Sequence, residues 1–463
     1  MVSAFQVLHM RQHQMKSISN VRAFTCSFLV ACALIPAQDP VAPANGQKSV
    51  DPELAAAIEN YLEQESTAKA SYGSKGFRLE SRDGKFQTNL QFRAQLRFTD
   101  PNRSDPRQVD DFEATAKSTF EARRVRMKIG GHGYEPWLKY YFEVDLQPTR
   151  SSSSSGANAS SRVIDWRIDV AKSKAFGIRA GQWKIDYNRE RVDSSGRQQF
   201  VERSIVNRTF TVDRQMGIGA RGRLFEGTAA DLRYYAGAFT GEGRGVANDD
   251  RNLMYIGRLQ WNFLGRDLPL RQTDVERTKK PAASFAIGAA THTGRATRWS
   301  SSGGGNLDGF DSTSTAMNAM NAQYRVHQAV AEFTYKHQGF STQNEFHWKS
   351  ITDKSMDYGM SGRKSDLYGL YSQAGYFFNE IWDSFPEPLE LAARYAWVRE
   401  PNENETTRNI DNQRQEFTIG ANWFFAGHNN KLTLDCSYLT LDDDVLGQDK
   451  STSRIRLQWD ISF

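Results

Sequence analysis

Residues 454–463 read Arg-Ile-Arg-Leu-Gln-Trp-Asp-Ile-Ser-Phe, and this stretch decides the fold. In an extended chain Ile455, Leu457, Trp459, Ile461 and Phe463 share one face, while Arg454, Arg456, Gln458, Asp460 and Ser462 share the other. Successive side chains of a strand point to opposite faces, so this pattern gives one apolar and one polar face. About ten such residues match one strand crossing a bilayer, apolar toward lipid and polar toward a lumen. A half-buried edge strand of a soluble sandwich alternates in the same way. The rest of the chain decides between the two.

From Phe86 to Phe98 the same period holds without a break. Phe86, Thr88, Leu90, Phe92, Ala94, Leu96 and Phe98 alternate with Gln87, Asn89, Gln91, Arg93, Gln95 and Arg97. Soluble strands average about 5–6 residues, too short for this run. A hairpin follows. Val125, Met127 and Ile129 alternate with Arg124, Arg126 and Lys128, Gly130-Gly131-His132-Gly133 turns, and Leu138 to Leu146 returns in alternation. Continuing, the sequence predicts about sixteen strands, the remaining ones near 162–170, 175–183, 214–225, 228–239, 252–263, 281–292, 324–337, 340–350, 366–378, 388–398, 413–425, 430–440 and 454–463. Their connections alternate long and short, as in barrels with outer loops and periplasmic turns. Leu264 to Lys280 is the exception, a long connection on the short side. The fold class is all-β, an antiparallel transmembrane β-barrel over 77–463.

Composition agrees. Only 39% of the 463 residues are hydrophobic, mean hydropathy is -0.64, and beyond the N-terminus no apolar run reaches the length of a membrane helix. A barrel needs apolar residues only at every second position. The net charge of +5 is mild and forms no basic stripe, which argues against a nucleic-acid partner. Arg11, Lys16 and Arg22 precede the apolar run Ala23–Ile35 and then Pro36-Ala37-Gln38, which predicts a secretory signal over 1–37 cleaved after Ala37. Acylation at Cys32 is the alternative. Cleavage leaves Cys436 as the one thiol, so no internal disulfide forms. Residues 38–76 read as a periplasmic linker carrying a short helix capped by Asp51, with Pro52 at its first position and Leu54, Ile58, Tyr61 and Leu62 at helical spacing. Tyr72 to Gly84 reads as a turn-rich lead-in.

The polar strand faces form the lumen. Strand register places 19 basic and 11 acidic side chains there, a surplus of 8. Rings of Arg and Lys select for anions because low-dielectric walls focus their field. Candidate anion-binding, pore-lining residues are Arg124, Arg126, Lys128, Lys139, Arg179, Lys184, Arg221, Arg223 and Arg233. Arg124/Arg126/Lys128 and Arg221/Arg223 stand out because no acid separates them on their face. For any single lumen arginine, a structural pair with a carboxylate across the wall is the competing reading. Enzyme signals are weak. His337 and His347 have no third ligand at metal-like spacing, Gly-x-Ser-x-Gly is missing, and no cofactor, metal or catalytic residue is expected. Asp442-Asp443-Asp444 reads as a solvated outer loop, with a divalent cation bridging to lipopolysaccharide as the alternative.

Several blocks resemble a known family. Arg123-Arg124-Val125-Arg126-Met127-Lys128-Ile129 followed by Gly130-Gly131 is one. Ile178-Arg179-Ala180-Gly181-Gln182-Trp183-Lys184, then Gln199-Phe200-Val201-Glu202-Arg203-Ser204, then Asp213-Arg214-Gln215-Met216-Gly217-Ile218 is a longer one. Tyr371 to Phe377 is a third. Together these resemble the phosphate-selective porin O and P family over roughly 77–463. The resemblance implies a sixteen-stranded homotrimeric outer-membrane channel that passes anions, phosphate or polyphosphate in some members. It implies that Arg123, Arg124 and Lys184 lie near the constriction, and that the 184–213 loop folds into the pore. Alternation puts Arg123 on the lipid side, so the resemblance requires either a bulge or a position above the apolar band. Asp186-Tyr187 stands where the family has Pro and an apolar residue, and Arg189, Glu190, Arg191 and Asp193 make the loop mixed in charge. The terminal strand ending at Phe463 resembles those that bacterial outer-membrane barrels present to their assembly machinery.

The expected function is passive anion diffusion across the bacterial outer membrane, with phosphate or polyphosphate the leading solute and lipopolysaccharide and outer-membrane lipid as surroundings. A general porin of weak charge preference and a non-conducting structural barrel plugged by its loops are the alternatives.

Overall fold

The computed structural model describes residues 68–463 except 102–103, 148–161, 249, 302, 311–321, 355–363, 401–411 and 445–446. Contacts divide the chain into Met1–Glu65 and Ser66–Phe463. In the first unit only Pro52, Glu53 and Ala56 are described, all helical. The expected signal peptide and most of the linker lie outside the described residues.

The second unit is almost entirely strand. β1 (Ala68–Gly73), β2 (Gly76–Ser81), β3 (Gln87–Asp100), β4 (Thr119–Gly133), β5 (Glu135–Asp145), β6 (Arg162–Val170), β7 (Gly177–Lys184), β8 (Arg214–Leu224), β9 (Leu232–Phe239) and β10 (Met254–Trp261) come first. β11 (Ala282–Gly294), β12 (Arg298–Ser300), β13 (Gly303–Gly305), β14 (Tyr324–His337), β15 (Phe340–Asp353), β16 (Lys364–Tyr376), β17 (Leu389–Glu400), β18 (Asn412–Phe424), β19 (Asn430–Asp443) and β20 (Gln448–Ser462) follow. β3–β11 and β14–β20 pair antiparallel in chain order, and β20 closes onto β3, giving a sixteen-stranded barrel. Closure leaves no unpaired edge, which a bilayer requires. No helix among the described residues is long and apolar enough to cross a membrane.

The alternation read from residues 454–463 holds in three dimensions. Arg454, Arg456, Gln458 and Asp460 are buried inside, while Ile455, Leu457 and Trp459 are exposed outside. The wall is uneven in height: β7, β9 and β10 have 8 residues each, while β14, β15 and β19 have 14 and β20 has 15.

Three features depart from plain alternation. Residues 72–84, read as a lead-in, belong largely to the β1–β2 hairpin, whose Phe77–Glu80 pairs with the lower part of β3. Its strands are short and exposed, so no burial pattern marks them in the sequence. β12 and β13 form a small hairpin inside a long outer connection. The β3–β4 register shifts between Gln95 and Leu96, which pair with Arg124 and Ala122 and leave Arg123 as the extra residue of a bulge. A bulge re-aims a side chain, and Arg123 turns inward to Glu202, Nε to Oε1 3.0 Å.

Candidate functional site

The lumen is built from charge. All 14 arginines that the sequence register places on its wall have a carboxylate within ion-pair distance. On the β3–β5 side, Arg93 meets Asp460 at 2.7 Å, Arg97 and Arg124 meet Glu202 at 2.8 and 3.5 Å, and Arg126 meets Glu143 at 2.8 Å. On the β6–β10 side, Arg167 and Arg179 share Asp169, Arg221 faces Asp186 at 3.4 Å, Arg223 pairs with Asp231, Arg233 with Asp267, and Arg258 with Glu332 at 2.6 Å. On the taller side, Arg394–Glu416, Arg414–Glu400, Arg454–Asp105 and Arg456–Asp435 lie at 2.5–2.7 Å. The acids come from neighbouring strands and inward segments, so a same-strand inspection of Arg124/Arg126 or Arg221/Arg223 misses them.

The five wall lysines behave differently. Among the described residues none pairs with a carboxylate. Lys336 donates to the carbonyl of Thr273 at 2.6 Å, Lys349 to those of Thr209 and Thr297, and Lys431 to that of Gln198. Lys128 touches only the Gln91 side-chain oxygen, at 3.3 Å. A guanidinium matches a carboxylate with two parallel donors, whereas an ammonium is a compact point charge suited to single acceptors. The wall lysines are therefore the cations that no carboxylate meets, while several arginines share one acid, as Arg97, Arg123 and Arg124 share Glu202.

The segment between β7 and β8 folds into the barrel and lies against the β14–β19 wall. Its backbone N–H groups donate to wall carboxylates: Arg189 to Glu332 at 3.1 Å, Glu190 to Glu345 at 2.7 Å, Val201 to Asp435 at 2.9 Å and Ile205 to Glu416 at 3.0 Å. Its carbonyls accept from the same wall, Glu202 from Arg394 at 3.0 Å, Gln199 from Asn422 at 2.8 Å and Phe210 from Gln328 at 3.2 Å. Buried backbone groups must find partners, and here wall side chains supply them in place of a sheet. Wall glycines make room. A Cβ on Gly369 would lie 2.4 Å from the Phe210 ring, and one on Gly420 would lie 3.1 Å from Phe200.

Within this segment, outside the spanning strands, several carboxyls are perturbed, burial raising Asp193 to about 6 and Glu202 and Glu190 moving in opposite senses. Burial pushes Glu202 up, but Arg97, Arg124 and Arg123 outweigh it and hold the group well below the usual range. Glu190 is pushed up to about 7 by burial, with Glu345 adding to the shift. Both oxygens of Glu190 accept from Ser204, at 2.7 and 3.0 Å.

The long connection on the short-turn side, Leu264 to Lys280, also turns inward. Leu268, Gln272, Thr273 and Asp274 are buried. Gln272 accepts from the Gln199 backbone at 2.7 Å and donates to the Gln198 side chain at 2.9 Å, and Arg189 donates to the Pro269 carbonyl. The two inward segments, from opposite ends of the barrel, meet inside it.

On the β5–β9 side a cavity of about 620 Å³ opens at the short-turn end. It brings together Lys139, Arg179, Arg221, Arg223 and Arg233 with Lys172 and Lys174, against only Asp169 and Glu226 as acids. Lys172 and Lys174 were missed because they lie in a turn, although Lys172-Ser173-Lys174 is legible as a basic turn. Arg124, Arg126 and Lys128 form a separate group on β4. Lys184 ends β7 beneath the inward segment and donates to the Asp193 carbonyl at 3.2 Å.

The model of a family described as phosphate-selective porin O and P matches residues 84–461. No curated protein matches the sequence. Among solved structures, the outer membrane channel DcaP of Acinetobacter baumannii is similar at 12% identity and TM-score 0.52, over 83% of this chain and 99% of that one. An anion-selective porin from Comamonas acidovorans is similar at 10% identity and TM-score 0.50, over 81% and 99%. OmpF of Salmonella typhi, in a complex with daunomycin, is similar at 12% and 0.51, over 83% and 100%. At these identities the likeness is one of fold.

Proposed function

The chain belongs to the phosphate-selective porin O and P family, an outer-membrane porin, and from that premise we propose that it passes anions, with phosphate or polyphosphate the leading solute. The observation that carries the reading is the unequal pairing of lumen cations. Each wall arginine has a carboxylate partner, while among the described residues the five wall lysines have none, and the cavity on the β5–β9 side sets Lys139 and Lys172 beside four paired arginines and the Lys174–Glu226 pair. Such a wall raises the local anion concentration while each single contact stays weak enough to release. Arg124, Arg126, Lys128, Lys139, Arg179, Lys184, Arg221, Arg223 and Arg233 are the proposed anion path, with Lys128 and Lys139 its least compensated members. A homotrimer and contact with lipopolysaccharide and the barrel-assembly machinery through Phe463 belong to the same reading.

The test is the reversal potential of the purified protein in a planar bilayer under a tenfold KCl gradient, followed by phosphate titration of the chloride current. Anion-selective reversal with block at low phosphate supports the proposal. Anion selectivity without block leaves a general anion porin, and cation selectivity sinks the reading. A second reading, a structural barrel closed by its own loops, is favoured by the burial of the inward segment, and absence of conductance would select it.

A further inference from the structure

The outer wall has a depression where β9, β10, β11, β14 and β15 meet. Two adjoining hollows, of about 820 and 660 Å³, share Ala236, Gly257, Ala289, Ala329 and Trp348. Ala236, Gly257, Ala289 and Ala329 are small and face away from the lumen beside the Trp348 ring, and a Cβ on Gly257 would meet nothing within 4 Å. Leu259, Ile287 and Phe346 form the apolar banks, each about half exposed. Small side chains flanked by large ones make a groove rather than a flat wall. In a bilayer a groove of this composition takes acyl chain.

Its upper end lies at the rim that carries the long connections, the outer-leaflet side. There the chemistry changes. Thr291 and His327 are hydrogen bonded at 2.9 Å on the outer face. Arg325, one outward position above His327, is exposed, as are Arg251 before β10 and Lys354 after β15. Among the described residues none of the three has a carboxylate partner. Asp250, next to Arg251, is turned to Asn252, accepting its backbone N–H at 2.6 Å and its side-chain amide at 2.8 Å. Uncompensated cations at headgroup height above an apolar slot complement a phosphate group carried on acyl chains.

We propose that this groove seats one outer-leaflet lipid, a phosphorylated acylated glycolipid of the lipid A type. Its chains lie over Gly257, Ala289 and Ala329, and its phosphate is held by Arg325 and Lys354. The site rests on the outer-membrane location and is independent of what the lumen conducts.

Native mass spectrometry of the protein in neutral detergent, titrated with bisphosphorylated lipid A or with phosphate-free diacylglycerol, tests it. Wild type should retain one lipid A at concentrations about tenfold below those needed for diacylglycerol, and retention should weaken as salt is raised. Gly257→Trp with Ala289→Trp should abolish retention by filling the slot. Arg325→Gln with Lys354→Gln should weaken lipid A about tenfold and leave diacylglycerol unchanged. These side chains point away from the lumen, so bilayer conductance should stay as in wild type and serves as the folding control. Equal retention of both lipids by wild type, or lipid A retention unmoved by both double variants, overturns the proposal. Efficient cross-linking between copies through Ala289→Cys also overturns it, by giving the groove to a second copy of the chain.

Discussion

Asp435 accepts the Arg456 guanidinium through both carboxylate oxygens, at 2.7 and 3.0 Å, and through Oδ2 also accepts the backbone N–H of Val201 at 2.9 Å. One wall side chain thus neutralises a barrel arginine and pins the inward segment. Asp435→Asn should leave Arg456 buried and poorly paired. Breaking a buried pair costs about 3–5 kcal/mol, so the unfolding midpoint in denaturant should fall. Single-channel recordings should show a noisier current as the segment loosens.

Gly369 tests the fit of that segment directly. Its absent side chain is the space the Phe210 ring occupies, 2.4 Å from where a Cβ would stand. Gly369→Val should displace Phe210 and raise single-channel conductance. Phe210→Ala in the same background should relieve the clash and restore barrel stability. An unchanged conductance in Gly369→Val would show that the segment does not limit the pore.

The seating of the segment should depend on pH through Glu190. Its carboxyl is raised by burial to about 7 from an ordinary value of 4.5. The folded state therefore holds this proton more tightly than the unfolded chain. The stabilisation is full below pH 4.5 and is lost as pH rises through about 7. Current noise should grow between pH 5 and pH 8, and Glu190→Gln should flatten that dependence.

Lysine and arginine substitutions should separate selectivity from stability. Lys139→Glu removes an uncompensated cation from the cavity and adds an acid, so the anion-to-cation permeability ratio should drop severalfold with a stability change under about 1 kcal/mol. Arg258→Met strands Glu332, both side chains being under 5% exposed. Stability should fall by about 3–5 kcal/mol while selectivity changes little. Reversal potentials and denaturant midpoints on the same preparations check both. If both variants shift both quantities alike, the division between the two cation types is wrong.

The barrel was legible because its rule is local. From Phe86 to Phe98 and from Arg454 to Phe463 each residue declares its face by its parity, and parity survives folding. Alternation gave the strand count, and loop lengths supported it and told the two ends apart. The ion pairs were not legible, because Arg97 finds Glu202 across 105 residues and Arg454 finds Asp105 across 349, both acids lying in connecting segments, and no periodicity links them. The bulge at Arg123 was readable only as a conflict between alternation and the family's pattern. Leu264 to Lys280 was visible as an anomaly of length, but its inward course depends on the Gln198, Gln199 and Arg189 groups that receive it. The β1–β2 hairpin carried no signal because its strands bury little.

The meeting of Gln199 with Gln272 also means that the aperture belongs to neither face of the membrane. Its mesh hangs from both rims. An insertion or deletion within 264–280 would retune the filter from the periplasmic side while the sixteen staves of the barrel and everything displayed to the outside world stay as they are.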